Sequence, residues 1–365
     1  MIPLERELAD LGFGPFFATQ LAHLEGIRPD LVPARIAADG AGIYHLLGCR
    51  ARLGELSGRL RHELSGIDRP AAGDWVAVAD YAERAVIHQV LRRRTAMIRR
   101  AADTEATAQM IAANVDVVCL VTSANRDLNP RRIERYLTAV WESGANPVIV
   151  LNKVDLVDDL APLIDTLASV ALGVPTVEVS ALTGVGIEAL RQHVGSGVTV
   201  GLVGSSGVGK SSLINRLVGR EVQHVNDIRE DDARGRHTTT RRELVLLPGG
   251  GVLIDTPGMR ELGLIEDDGG IDTVFADIAE IAQTCRFNDC QHENEPSCAV
   301  QAALYSGVLS TERLHSYRKL QREVAAAERR RDPILAANER RRWKIIHKDL
   351  RAREKAKSGI GDRTE

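Results

Sequence analysis

Residues Gly204-Ser205-Ser206-Gly207-Val208-Gly209-Lys210-Ser211 take the form G-x-x-x-x-G-K-[ST], and no other stretch of the chain constrains its fold as tightly. The motif needs a buried strand to deliver the loop and a helix to leave it. Both are legible. The apolar, β-branched run at 198–203 precedes the loop, and Ser212-Leu213-Ile214-Asn215-Arg216-Leu217 opens a helix after it. Glycines let successive backbone N–H groups close around a phosphate chain. Lys210 brings a positive charge to the β- and γ-phosphates, Ser211 offers a hydroxyl to Mg²⁺, and the helix N-terminus adds its dipole. This stretch implies an α/β domain that binds a nucleoside triphosphate.

The surrounding pattern extends that reading. Apolar runs at 115–122, 147–151, 176–179 and 251–254 alternate with helical stretches such as 130–142. Continuous β-branched strands separated by helices predict a parallel sheet with helices on both faces, over 108–275. Short motifs follow these strands. Asn152-Lys153-Val154-Asp155 has the N-K-x-D form, whose carboxylate accepts hydrogen bonds from guanine N1–H and the 2-amino group; adenine offers neither donor. Lys153 would lay its stem over the base and Asn152 would tie loops together. Ser180-Ala181-Leu182 is placed to back the base. Asp255-Thr256-Pro257-Gly258 has the D-x-x-G form, in which Asp255 holds Mg²⁺ through water and the Gly258 amide reaches the γ-phosphate. Gly235-Arg236-His237-Thr238-Thr239-Thr240 lies where a switch threonine belongs. The GTP-binding set is therefore Asn152, Lys153, Val154, Asp155, Ser180, Ala181, Leu182, residues 204–212, Asp255 and Gly258.

The order of these motifs is rotated. N-K-V-D and S-A-L precede the phosphate loop, whereas in an ordinary small GTPase they follow it; the arrangement is circularly permuted. Permutation is tolerated where the original termini lie close together at the surface. On these residues the chain resembles the bacterial RsgA (YjeQ) family of circularly permuted GTPases, over nearly its whole length. The resemblance implies a multidomain α/β fold. Its parts are an N-terminal helical extension (1–30), an OB-like β-barrel (31–101), a central circularly permuted P-loop GTPase (108–275) and a C-terminal α-helical zinc-binding domain (276–365) with a basic arm. It implies GTP hydrolysis stimulated by the 30S ribosomal subunit, with 16S rRNA contacts and a role in late subunit maturation. It also points to Thr239 for Mg²⁺ and the γ-phosphate, although the residues alone leave Thr238 and Thr240 open.

Many GTPases place a glutamine directly after D-x-x-G to orient the attacking water. Here that position is Met259, whose thioether cannot do so. His237 is the polar substitute, since a neutral imidazole can position water or take its proton. The alternative is a module in which GTP gates RNA binding without being hydrolysed.

Five cysteines in a chain whose N-terminus lacks the pattern of a signal peptide argue against a disulfide framework. Three fall within fourteen residues: Cys285, Cys290 and Cys298, joined by His292, offer three thiolates and an imidazole, a set suited to one structural Zn²⁺. Cys49 and Cys119 sit in apolar strand contexts and are expected in cores.

Net charge is −3, which on its face disfavours a nucleic-acid partner. The sum conceals its distribution. Residues 310–357 hold 16 Arg or Lys against 7 Asp or Glu, a net of +9, leaving −12 elsewhere. Trp343 sits within Arg340-Arg341-Arg342-Trp343-Lys344, and arginine forks with a stacking ring suit RNA. The cluster Arg92, Arg93, Arg94, Arg99 and Arg100 at the end of the barrel is a second candidate RNA surface. No apolar run is long enough to span a membrane, and the expected protein is a cytoplasmic monomer holding Zn²⁺, and Mg²⁺ with GTP or GDP.

Overall fold

The computed structural model describes residues 4–26, 28–40, 42–100, 108–125, 128–219, 243–255, 270–287, 290–293 and 295–331. His237, Thr239, Gly258, Met259 and the basic stretch 332–365 lie outside them. Among the described residues no helix is long and apolar enough to cross a membrane.

Two helices, α1 (Leu4–Asp10) and α2 (Pro15–Glu25), precede five barrel strands: β1 (Leu31–Gly40), β2 (Ile43–Leu47), β3 (Leu53–Leu56), β4 (Trp75–Asp80) and β5 (Ala85–Val90). The barrel closes in the order β1-β2-β3-β5-β4, with β1 returning to β4. All pairs are antiparallel except β3 with β5. Side chains alternate across a strand, and β4 shows the result. Val76 and Val78 point into the barrel with Ile36, Tyr44 and Ile87, while Trp75, Ala77 and Ala79 face outward into a second core with Leu11 and Phe17.

In sequence, Glu63-Leu64-Ser65-Gly66 reads as a β-prone piece of the barrel. The structure has helix α3 (Gly58–Glu63) there, followed by a short 3-10 turn at Gly66–Asp68. Ser57 caps α3, its Oγ accepting from the Leu60 amide at 3.4 Å, which is the local signal that outweighs a short apolar run. Cys49 is half-buried in the turn after β2, packed against the barrel interior rather than on a strand. Burial pushes its thiol up to about 12.

The basic run after the barrel is tied into the fold. Arg92 stacks over Phe16 at 5.5 Å. Arg93 grips the fully buried Asp74 with two bonds of 2.8 and 2.7 Å. Arg94 pairs with Asp116 at 2.6 Å and lies over Phe17. These three arginines fasten the barrel, α2 and the GTPase body together, while Arg92 and Arg94 remain exposed. Strand β6 (Ala96–Arg100) lies outside the barrel and pairs antiparallel with β7 (Ala108–Ala113).

The central sheet runs β10-β9-β8-β11-β13-β12. Its members are β8 (Val117–Ser123), β9 (Asn146–Asn152), β10 (Thr176–Glu178), β11 (Thr199–Val203), β12 (Glu243–Leu246) and β13 (Val252–Asp255). It is parallel except for edge strand β12, which runs antiparallel to β13. Cys119 and Val121 face one side with Ile187 and Leu190 of α6 (Ile187–Arg191) and Leu213 and Leu217 of α7 (Lys210–Val218). Val118 and Leu120 face the other, with Ile133 and Leu137 of α4 (Pro130–Glu142) and Leu167 of α5 (Ala161–Val170). That second layer is continuous with the outer face of the barrel. Gly73 marks the closest approach: it has φ +95°, and a Cβ there would meet the Ala113 carbonyl at 2.0 Å.

Helices α8 (Gly270–Val274), α9 (Ala276–Ala282), α10 (Ala299–Tyr305) and α11 (Thr311–Arg331) complete the described chain. Phe275, Ile278, Leu314 and Tyr317 join them to the α4 side of the sheet.

Candidate functional site

Strand β11 runs into the phosphate loop, and α7 begins at Lys210. Val208 and Gly204 are buried, Ser206 and Gly207 are exposed, and Ser205, Lys210, Ser211 and Ser212 are half-buried. The Lys210 Nζ donates to the Gly204 carbonyl at 2.7 Å and to the Ser205 carbonyl, so the ammonium lies inside the loop's own curl.

The N-K-V-D motif arrives from the neighbouring strand but one. Asn152, at the end of β9, is 1% exposed. Its Nδ2 donates to the Val208 carbonyl at 2.8 Å, and its Oδ1 accepts from the Ala181 amide at 3.0 Å. One amide side chain thus joins three motifs that lie 56 and 29 residues apart. Gly209 is required by this approach: it has φ +97°, and a Cβ would come within 2.2 Å of the Asn152 Nδ2. Lys153 takes a left-handed conformation (φ 63°) and sends its Nζ to the Gly207 carbonyl at 2.7 Å. Val154 is half-buried and Asp155 is exposed beside it.

Ser180 is fully buried, and its Oγ accepts from the Thr183 amide at 3.1 Å, which holds the S-A-L turn in shape. Leu182 stands 76% exposed at the tip. Asp255 ends β13, half-buried, one strand over from β11. The structure therefore brings together the phosphate loop, N-K-V-D, S-A-L and Asp255 at the C-terminal ends of parallel strands, the edge where open α/β sheets bind ligands.

The second cluster is Cys285, Cys290, His292 and Cys298, whose donor atoms all lie within 4.8 Å of one another, so that the four residues could hold one metal ion. Cys285 Sγ is 3.6 Å from His292 Nδ1 and 3.9 Å from Cys298 Sγ, and Cys298 Sγ is 3.5 Å from His292 Nδ1. Burial opposes ionisation of Cys285, but the amides of Val300 and Ala299 at the start of α10 overcome it and bring the thiol down. Burial also lowers His292, which keeps the imidazole in its neutral, ligating form. Sequence reading missed the supports of this site. Gln301 and Arg318 both donate to the His292 carbonyl. Glu295 accepts the amides of Gln291 and Glu293 at 2.9 and 2.8 Å. No local pattern marks these residues, because their partners are backbone atoms of an irregular loop.

A family model described as RsgA GTPase matches residues 90–265, and one described as 50S ribosome-binding GTPase matches residues 199–339. The small ribosomal subunit biogenesis GTPase RsgA of Opitutus terrae is 46% identical over 361 residues, 95% of this chain and 98% of its own. RsgA 1 of Listeria innocua is 48% identical over 296 residues, 81% of this chain and 84% of its own. The crystal structure of YjeQ from Thermotoga maritima superposes with a TM-score of 0.61 at 26% identity, covering 81% of this chain and 99% of that one. YloQ, described as a circularly permuted GTPase, shares the fold at a TM-score of 0.59 and 24% identity, over 83% of this chain and 96% of its own. Relatives this similar over nearly the full length place the chain in the RsgA family of circularly permuted GTPases, as a GTP hydrolase.

Proposed function

We propose that the protein acts on the 30S ribosomal subunit, touching 16S rRNA during late maturation, and hydrolyses GTP in response to that contact. The observation that carries the guanine-site reading is the Asn152 side chain, which fastens the N-K-V-D strand to both the phosphate loop and the S-A-L turn. In this reading residues 204–212 cradle the phosphates. Asn152, Lys153, Val154 and Asp155 with Ser180, Ala181 and Leu182 select guanine. Ser211, Thr239 and, through water, Asp255 hold Mg²⁺, the Gly258 amide meets the γ-phosphate, and His237 positions the attacking water.

For the metal we propose Zn²⁺, one per chain. Bond lengths of about 2.3 Å to sulfur and 2.0–2.1 Å to nitrogen give a tetrahedron with S···S edges near ~3.8 Å and S···N edges near ~3.6 Å. The observed 3.9, 3.6 and 3.5 Å fit those edges, and the three-sulfur, one-nitrogen set leaves no open position, which suits a structural ion. The working unit is a cytoplasmic monomer divided into a helical extension at 1–30, a segment at 31–101 that carries the barrel and ends in β6, the GTPase at 108–275 and the zinc domain at 276–365.

Two measurements test this. Displacement of a fluorescent GDP analogue should show GTP binding at least about a hundredfold tighter than ATP, since ATP would leave the Asp155 carboxylate unpaired; equal affinities would overturn the guanine reading. Metal analysis of purified protein should find close to one equivalent of zinc per chain. Less than about half an equivalent, in protein that holds its fold, would remove the zinc assignment.

A further inference from the structure

The S-A-L turn is held from a second side by a residue outside every motif. Arg216 sits in the last turn of α7, the helix that leaves the phosphate loop. Its Nε donates to the Ala181 carbonyl at 2.9 Å and its Nη2 to the Leu182 carbonyl at 2.6 Å. The Arg191 guanidinium, from α6, donates in return to the Arg216 carbonyl at 3.1 Å. Both polar atoms of the Ala181 backbone are therefore engaged: the amide by Asn152, the carbonyl by Arg216. Within the turn, the Ser180 Oγ accepts from the Thr183 amide and the Ser180 backbone bonds to Val185 and Gly184, which leaves the carbonyls of Ala181 and Leu182 to Arg216.

We propose that Arg216 is a positioning residue for guanine recognition, fixing the base-backing turn to the helix whose N-terminus receives the phosphates. The inference rests on the guanine reading given above. A guanidinium suits the task because its planar fork delivers two donors at a fixed separation to two consecutive carbonyls, whereas an ammonium offers one point charge. The turn and the phosphate helix are joined through α7 itself, so the base end and the phosphate end of the site move as one body. Without Arg216 the turn keeps its internal bond and the Asn152 tie, but the Ala181–Leu182 peptides lose their orientation. The expected penalty falls on the base and not on the triphosphate. Arg216 is itself exposed and supports no core, so its replacement leaves the fold intact.

The test compares Arg216→Ala, Arg216→Lys and Asp155→Asn with the unaltered chain, titrating GTP and ATP against a fluorescent GDP analogue. Arg216→Ala should weaken GTP by about tenfold while leaving ATP within about twofold, so the preference for GTP falls by the same factor. Arg216→Lys should recover part of the loss. In steady-state hydrolysis the change should appear in KM and not in kcat. Unchanged GTP affinity, or an equal loss for both nucleotides, would overturn the proposal. Asp155→Asn separates the two levels: if it leaves the GTP preference intact, the guanine reading itself fails. If it abolishes the preference while Arg216→Ala leaves the preference unchanged, only the role of Arg216 fails.

Discussion

Arg35 and Arg313 occupy matching positions at the two joints of the molecule. Arg35, on barrel strand β1, reaches into the GTPase body. It donates to the carbonyls of Leu11, Gly73 (3.3 Å) and Asn114 (3.4 Å) and to the Thr199 hydroxyl (2.8 Å) at the start of β11. Arg313, on α11, reaches into the same body from the zinc-cluster side. It pairs with Glu134 of α4 at 2.8 Å, grips Asp277 of α9 with two bonds of 3.0 and 2.9 Å, donates to the Val274 carbonyl and lies 4.4 Å over Phe275. These acceptors of Arg35 are all neutral, whereas two of the residues that accept from Arg313 are carboxylates. Burial accordingly pulls the Arg35 guanidinium down to about 10, with Asp116 and Asp74 acting only at longer range.

The difference predicts how each joint fails. Removing Arg313 strands a buried carboxylate; removing Arg35 strands only carbonyls and a hydroxyl. Arg313→Met should lower stability by about 3–5 kcal/mol in urea unfolding, the cost of an uncompensated buried charge. Adding Glu134→Leu should restore most of it. The effect should also depend on pH. Burial already raises the Glu134 carboxyl, against the pull of Arg313. Without Arg313 it rises further above its unfolded value of about 4.3. A carboxyl raised in the folded state favours folding at low pH and loses that advantage as pH rises through the folded pKa. The deficit of Arg313→Met should therefore grow between about pH 4 and pH 7.

Arg35→Met should cost less, about 2–3 kcal/mol for unsatisfied carbonyls and lost packing beneath Trp75, and the deficit should stay flat across that pH range. No single partner substitution should rescue it, because three of its four acceptors are main-chain carbonyls on separate segments and the fourth is the Thr199 hydroxyl. A pH-dependent loss at Arg35, or a failure of Glu134→Leu to rescue Arg313→Met, would break the comparison.

The two joints also show where sequence reading stops. The phosphate loop, N-K-V-D, S-A-L and the Cys/His cluster are legible because each is a short stretch with its own chemistry, and a strand before each of the first three fixes its place. The joints are not legible. Arg35 looks like a polar interruption in a strand that also carries Pro33, and its partners are 24, 38, 79 and 164 residues away. Arg92, Arg93 and Arg94 read as a basic patch, and sequence does not show that Asp74, Asp116 and two phenylalanines also engage them. Edge strand β12 was missed because it opens on a charged residue and no motif follows it, whereas the equally short β10 and β13 each deliver one.

The proposed function requires that the small ribosomal subunit switch this GTPase on. GTP hydrolysis should be followed at saturating nucleotide for the protein alone and with purified 30S subunits added, for the native chain and for His237→Ala. Subunits should raise the native rate by at least about tenfold, a change of 1.4 kcal/mol in the barrier. His237→Ala should still bind GTP but lose that stimulation. A native rate that 30S subunits leave unchanged would contradict the central claim.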